Sequence, residues 1–184
     1  MVTIIFTHPW AGSFNKAVLD AVVNKLSSEN KEYQIIDLYK DNFNPTFSIE
    51  ELALFSKGET TYELTKQYQE KLKNSDEVIF IFPIWWSFIP AVLKGFIDKV
   101  MLKGYAYQID NTGWHPLLVF ERVTILTTSQ SPTEYFVKSI QDVFINQTLT
   151  QVGMGNAVWY NLEQTSSGDD SYRAAFLNKI KDMI

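Results

Sequence analysis

The chain has 184 residues, with 16 lysines and arginines against 21 aspartates and glutamates, a net charge of −5 at neutral pH. That acidic balance, without any basic run, argues against nucleic-acid binding, and the 46% hydrophobic content excludes intrinsic disorder. Cysteine is absent, which removes thiol catalysis and thiolate metal sites and suits a reducing compartment such as the cytoplasm.

The first ten residues, MVTIIFTHPW, lack a positive n-region and a small-residue cleavage site, so they do not read as a signal peptide. Val2 to Thr7 is an apolar run that predicts a first, central strand, leading into His8-Pro9-Trp10-Ala11-Gly12-Ser13-Phe14-Asn15. Val18, Leu19, Val22, Val23 and Leu26 then space out a helix that closes near Asn30. Tyr33 to Leu38 predicts a second strand, and Tyr39 to Pro45 is a turn-rich loop. Residues 46–57 give no clear pattern. Thr61 to Lys73 places Leu64, Tyr68 and Leu72 on one helical face.

The chain is organised around Glu77 to Lys103. Val78 to Phe82 is a short run of β-branched and aromatic residues, the pattern of a strand buried on both faces. Pro83-Ile84-Trp85-Trp86-Ser87-Phe88 follows as a turn, in which one of the two adjacent indoles is expected to pack under the next helix. Pro90 opens that helix, and Val92, Leu93, Phe96, Ile97, Val100 and Met101 form its apolar stripe. Val78 to Ile97 is long enough to raise a membrane span, but two prolines, Ser87, Lys94 and Gly95 interrupt it and its period changes midway. It reads as strand plus helix, with no membrane insertion.

Gly104 to Pro116 reads as a loop carrying Tyr105, Tyr107 and Trp114. Val123 to Thr128 predicts the next strand, and Thr133 to about Leu149 a helix with Phe136, Ile140, Val143 and Phe144 inward. Met154 to Tyr160 predicts a last strand and Asp169 to Ile184 a terminal helix with Tyr172, Phe176, Ile180 and Met183 on one face. Strands and helices alternate throughout, the pattern of one doubly wound five-stranded parallel sheet with helices on both faces, a single domain over residues 1–184.

Ligands of such sheets sit at the carboxyl ends of the strands. At the first of these, Gly12, Ser13 and Asn15 open a helix, where free N–H groups and the helix dipole favour a phosphate or pyrophosphate. His8 could add a donor; alternatively Ser13 only caps the helix and His8 is an ordinary loop residue. The loop is neither a Walker loop nor a dinucleotide fingerprint. Pro83 to Phe88 offers aromatic walls for a planar ring, and Thr127-Thr128-Ser129 a third loop with hydroxyls. The two histidines, His8 and His115, have no ligand spacing, and the acidic residues are scattered over helix faces as solvated groups, so no metal is expected and no carboxylate dyad. A phosphate nest with aromatic walls but no nucleophile points to chemistry carried by a bound cofactor.

These motifs, taken in order, resemble the flavodoxin-like NAD(P)H:quinone oxidoreductases, a group that includes mammalian quinone reductase and bacterial ancillary proteins of potassium-efflux systems. The resemblance rests on His8 with Ser13-Phe14-Asn15, on Asp37-Leu38-Tyr39 with Asn42-Phe43-Asn44-Pro45, and on Pro83-x-x-Trp86-x-x-x-Pro90-Ala91-x-Leu93-Lys94-Gly95-x-x-Asp98-Lys99-Val100. Gly104-Tyr105-Ala106-Tyr107 and Thr127-Thr128 complete it. It implies a homodimeric flavoprotein in which NAD(P)H, the co-substrate, reduces a flavin that then passes two electrons to a quinone or similar small acceptor. FMN is the first choice and FAD the second. By the same resemblance, His8, Ser13, Phe14 and Asn15 hold the flavin phosphate or pyrophosphate. Pro83, Ile84, Trp85 and Trp86 line the isoalloxazine, with backbone donors of their turn at its polar edge, and Thr127, Thr128 and Ser129 take the other side. Tyr135 stands near the pyrimidine end, and Tyr107 reaches the partner subunit's substrate pocket. A role as the regulatory partner of a potassium-efflux transporter is the alternative. Two positions depart from the family: Ser129-Gln130 replace Gly-Gly, which loosens the expected approach to the ring, and Gln141 replaces a histidine associated with charge relay.

Overall fold

The β-branched runs pair as parallel strands in the computed structural model, which describes residues 1–184. In chain order the elements are β1 (Val2–Phe6), α1 (Phe14–Ser28), β2 (Tyr33–Asp37), α2 (Ile49–Phe55), α3 (Glu63–Lys73), β3 (Glu77–Pro83), α4 (Ala91–Val100), β4 (Tyr107–Asp110) and β5 (Gly113–Pro116). There follow β6 (Arg122–Thr128), a π-helix (Val137–Leu149), β7 (Ala157–Leu162) and α5 (Asp170–Lys179). The main sheet has five parallel strands in the order β2-β1-β3-β6-β7. This is the doubly wound sheet expected from the alternation of strands and helices, in the flavodoxin-like order that the resemblance implies.

Every residue of β1 is buried, which is why its sequence is a continuous apolar run instead of an alternating one. Alternate residues feed two separate cores. Ile4, Phe6, Ile79 and Ile81 pack beneath α1 and α5 with Val18, Val22, Leu26 and Phe176. Ile5, Phe80 and Phe82 pack on the other face against Leu93 and Phe96 of α4 and Phe144 of the π-helix. Val78 to Ile97 is therefore a strand followed by a helix, and no helix is long and apolar enough to cross a membrane.

Several local expectations are corrected. The patternless stretch 46–57 contains α2, whose start is fixed by a capping box: the Ser48 hydroxyl accepts from the Glu51 N–H, and the Glu51 carboxylate accepts from the Ser48 N–H. Glu51 is not a solvated surface acid; it is buried against Lys99, itself only 2% exposed, at 2.9 Å. Gly104 to Pro116 is not a plain loop but contains the antiparallel hairpin β4–β5, with Tyr107 stacked on Trp114 at 3.9 Å between ring centroids. The helix after β6 is wound as a π-helix, so Ile145 and Leu149 turn inward and Val143, 40% exposed, turns out. The last strand begins at Ala157 and runs to Leu162, displaced from the predicted Met154–Tyr160. In the terminal helix Phe176 and Ile180 are buried, whereas Tyr172 is 40% exposed.

Candidate functional site

The loops after β1, β3, β6 and β7 meet at the carboxyl edge of the sheet around a cleft of about 410 Å³. Its floor at one end is the start of α1. Ser13 caps that helix, its Oγ accepting from the Lys16 N–H at 3.2 Å, so the capping reading of Ser13 is correct. Capping leaves the hydroxyl proton of Ser13 free to donate, so it does not compete with anion binding. The N–H groups of Phe14 and Asn15 have no carbonyl one turn earlier in the helix and point out of its positive end. Asn15 is 3% exposed; its Nδ2 donates to Thr128 Oγ1 at 2.8 Å, while its Oδ1 has no partner at all. An unpartnered buried carbonyl oxygen costs free energy until a donor reaches it. The side-chain amide of Asn15 is thus committed to Thr128, and its carbonyl oxygen is the unsatisfied atom.

His8 stands beside this cradle. Its Nδ1 accepts from the Trp10 N–H at 3.1 Å, which places the ring proton on Nε2. Burial pushes its pKa below the ordinary value, so the ring is a neutral donor at neutral pH. The imidazole lies edge-on to Trp85, with ring centroids 5.8 Å apart.

Pro83, Ile84 and Trp85 wall the cleft on the β3 side. The turn after them is closed by two hydrogen bonds, Trp85 N–H to Phe88 O at 3.0 Å and Phe88 N–H to Trp85 O at 3.1 Å. Its central residues, Trp86 (φ 49°) and Ser87 (φ 62°), are both left-handed, the geometry of a type I′ turn that asparagine and glycine ordinarily supply. The turn carries Trp86 wholly into solvent and leaves Trp85 40% exposed, so neither indole packs under α4. The Ile84 N–H is held by Thr128 O at 2.8 Å. With Ile84 and Trp85 thus engaged, the donors left in this turn are the N–H groups of Trp86 and Ser87.

The β6 side is built differently from expectation. Thr128 and Ser129 line the cleft, but Thr127 lies beneath it, fully buried, accepting from Trp159 Nε1 at 2.7 Å and donating to Asn161 Oδ1 at 2.8 Å. Ser129 turns its hydroxyl down to Ser131 O and accepts from Asn161 Nδ2, both at 2.9 Å. Gln130 reaches across to the loop after β7, accepting from the Ser166 N–H at 3.2 Å and donating to Ser167 Oγ at 3.0 Å. The pair that replaces two glycines thus fastens two loops together.

The structure brings together His8, Ser13, Phe14, Asn15, Pro83, Ile84, Trp85, Thr128 and Ser129. It leaves Thr127 below the floor, and Trp86, Tyr107 and Tyr135 outside the lining. Tyr135 is 69% exposed on the first turn after Pro132, and Tyr107 faces Trp114. Four lining residues were missed: Trp10, Gln130, Thr165 and Ser166. Thr165 and Ser166 follow the carboxyl end of β7, so the rule that pointed to the other loops would have reached them had that strand been placed correctly. No group of three histidine, aspartate or glutamate side chains is arranged to hold a metal ion.

The model of the family described as having a flavodoxin-like fold matches residues 1–184. The chain belongs to this flavodoxin-like family. An uncharacterised NAD(P)H oxidoreductase of Haemophilus influenzae is 30% identical over 181 residues, covering 95% of this chain and 89% of that protein. The ribosyldihydronicotinamide dehydrogenase [quinone] of Pongo abelii is 30% identical over 154 residues, covering 75% of this chain and 67% of that protein. Among solved structures, an NAD(P)H:quinone oxidoreductase from Methanothermobacter marburgensis superposes with a TM-score of 0.89 at 31% identity, over 98% of this chain and 95% of that one. The resemblance carried by the sequence motifs is thereby borne out.

Proposed function

We propose that this flavodoxin-like protein is a flavin-dependent NAD(P)H oxidoreductase that reduces quinones or similar small acceptors, acting as a single-domain, cytoplasmic homodimer. The observation that carries the reading is the cleft itself: a helix N-terminus and a buried unpartnered acceptor at one end, and a proline–indole wall beside them. That combination matches a flavin, whose phosphate, ribityl hydroxyls and planar ring ask for these three features in turn. The names of the similar proteins from Haemophilus influenzae and Methanothermobacter marburgensis support it. FMN is the preferred form, since a single phosphate suffices for the cradle, with FAD second.

A bound flavin supplies the two-electron chemistry between NAD(P)H and the acceptor. The protein's part is binding and orientation. In this reading Ser13 Oγ and the N–H groups of Phe14 and Asn15 hold the phosphate, and His8 Nε2–H adds a donor without a proton that must first be gained. Asn15 fixes Thr128 on the far wall through Nδ2, and its unpartnered Oδ1 would accept from a ribityl hydroxyl that reached it. Pro83, Ile84 and Trp85 hold the ring edge, and the free N–H groups of Trp86 and Ser87 offer hydrogen bonds to its heteroatoms. Tyr135 and Tyr107 are the candidate catalytic phenols, Tyr107 acting across the dimer with its ring oriented by Trp114. No observation favours the transporter-partner alternative.

The test is steady-state kinetics of the flavin-loaded protein with NAD(P)H and a water-soluble benzoquinone. Parallel double-reciprocal lines, the pattern of two substrates using one cleft in turn, are expected. Turnover no faster than free flavin would overturn the assignment.

A further inference from the structure

The five-stranded sheet has two edges, β2 and β7. In each edge strand, alternate residues turn their backbone N–H and C=O groups to the neighbouring strand and the rest turn theirs outward. On β2, Glu32 O accepts from the Val2 N–H and Leu38 N–H donates to Phe6 O, so Tyr33, Ile35 and Asp37 face outward. Two of those outward carbonyls are already taken: Lys71 Nζ donates to Ile35 O and Asp41 N–H to Asp37 O, both at 2.9 Å. A lysine laid along an edge is one of the devices that keep a strand from pairing with another chain.

The opposite edge has no such guard. Tyr160 O accepts from Thr127 Oγ1 at 3.4 Å and Leu162 O from the Ser129 N–H at 2.9 Å, so the even-numbered residues of β7 face β6. Ala157, Trp159 and Asn161 therefore turn their N–H and C=O groups outward, where no side chain meets them. A recess of about 420 Å³ runs along this edge. Four consecutive residues, Trp159 to Leu162, line it; strand side chains alternate between faces, so one recess touches all four only from the edge. Its other wall is a face of α5, with Ala175, Phe176 and Lys179. A row of backbone donors and acceptors at strand spacing fits an extended chain.

The residues of β7 select which extended chain. The strand is Ala-Val-Trp-Tyr-Asn-Leu, without a charge, a proline or a glycine. Turned about a two-fold axis at Trp159, it meets itself antiparallel: Ala157 faces Asn161 of the second copy and Trp159 faces Trp159, so every outward N–H finds an outward C=O. Between them Val158 faces Tyr160 of the second copy, a β-branched and aromatic pair of the kind that stabilises neighbouring strands. Val158 is 48% exposed in the single chain, an apolar side chain that this contact covers. No like charges meet along the strand, a clash that two-fold pairing imposes on charged edges at their centre. Lys179, the one charged residue of the lining, is exposed and long enough to keep its ammonium in water.

We infer that β7 is an interface between two copies of this chain, whose sheets join edge to edge into one continuous sheet. Hairpin β4–β5, which carries Tyr107, does not line the β7 recess. A dimer in which Tyr107 acts across subunits therefore uses another face, and the two contacts together build a tetramer. The β7 contact needs no flavin, so it stands or falls independently of the oxidoreductase reading.

The test is light scattering after gel filtration, with and without FMN, of the parent protein, Val158→Lys and Val158→Thr. Lysine at this edge should block the pairing and halve the parent's mass, from tetramer to dimer or from dimer to monomer; threonine should preserve it. Both variants should keep the parent's circular dichroism spectrum, because Val158 is half exposed. A second measurement reads the register. The chain has no cysteine, so Val158→Cys combined with Tyr160→Cys sets the only thiols of each copy opposite those of the other, at the roughly 4.5 Å Cα separation of a non-hydrogen-bonded pair. Oxidation should link this variant into a covalent dimer on a non-reducing gel. Val158→Cys alone should not be linked, since its thiols lie diagonally, with Cα atoms about 7–8 Å apart. A monomeric parent, or a mass that Val158→Lys leaves unchanged, overturns the interface. A halved mass with no covalent dimer from the paired cysteines overturns the antiparallel pairing.

Discussion

Asn15 links the two walls of the cleft through a single side chain, its amide on Thr128 and its carbonyl oxygen buried without a partner. Neither partner could be read from the sequence, which placed Asn15 at a helix start but said nothing of which end of its amide would be free. Ser13 was legible as a cap because the loop-to-helix transition is local, and its capping bond is the one such transitions form. Thr127 and Thr128 show the limit of that legibility. Adjacent residues on a strand point to opposite faces, and only the sheet's orientation decides which hydroxyl reaches the cleft. Replacing both Ser13 and Asn15 by alanine should weaken flavin binding by about a hundredfold, roughly tenfold for each hydrogen bond to a charged or buried partner. The melting temperature should fall by the several degrees that one lost cap and one lost buried hydrogen bond cost. Equilibrium dialysis with FMN checks the first part; full retention of flavin would remove these residues from the site.

The turn Trp86-Ser87 combines φ values of 49° and 62° with no glycine, so the element that positions Trp85 holds backbone strain. Such residues cost on the order of 1–3 kcal/mol each and persist where the surroundings demand them. Changing the pair to Asn-Gly should keep the two closing hydrogen bonds and raise thermal stability by about 1 kcal/mol or more. Differential scanning calorimetry reads the effect, and a lowered melting temperature would contradict the strain. Lys99 is the second element-level device. From α4 it donates to Asn44 O, Thr46 O and the Glu51 carboxylate, and its ammonium lies 4.3 Å from the centre of the Tyr62 ring. It thereby fastens the loop before α2, which lies so close on α4 that a Cβ at Gly95 would fall 2.4 Å from Pro45. Lys99→Met leaves a buried carboxylate unpaired and should cost about 3–5 kcal/mol, or roughly 10 °C in melting temperature. Lys99→Met with Glu51→Leu should recover much of that loss; a single variant as stable as the parent would show that the pair does not hold the segment.

Part of this was visible beforehand and part was not. Ser48-x-x-Glu51 is a capping-box signature, so the start of α2 is written locally in residues 46–57. The π-helix was hidden, because the four-residue spacing of Phe136, Ile140 and Phe144 fits an α-helix as well, and the difference shows only in Val143 and Ile145. The hairpin β4–β5 has strands of four residues each, too short for alternation to stand out against a loop.

At the level of the whole molecule the sequence was most informative, because burial on both faces of a parallel sheet forces long apolar runs that nothing else in a chain of this length requires. Their alternation with amphipathic helices determined the topology, and the topology determined where the four loops converge. The outline of the cleft follows from that convergence; its fine structure depends on contacts between loops far apart in sequence, such as Gln130 with Ser166. These lie beyond any local pattern. The central claim is that this convergence holds a flavin reduced by a nicotinamide dinucleotide. It is tested most directly by the visible absorption spectrum of the FMN-supplemented protein under anaerobic conditions, before and after NADPH or NADH is added. Flavin bands near roughly 370 and 450 nm should remain with the protein through gel filtration and bleach on addition of the dinucleotide. A protein that emerges colourless would contradict it.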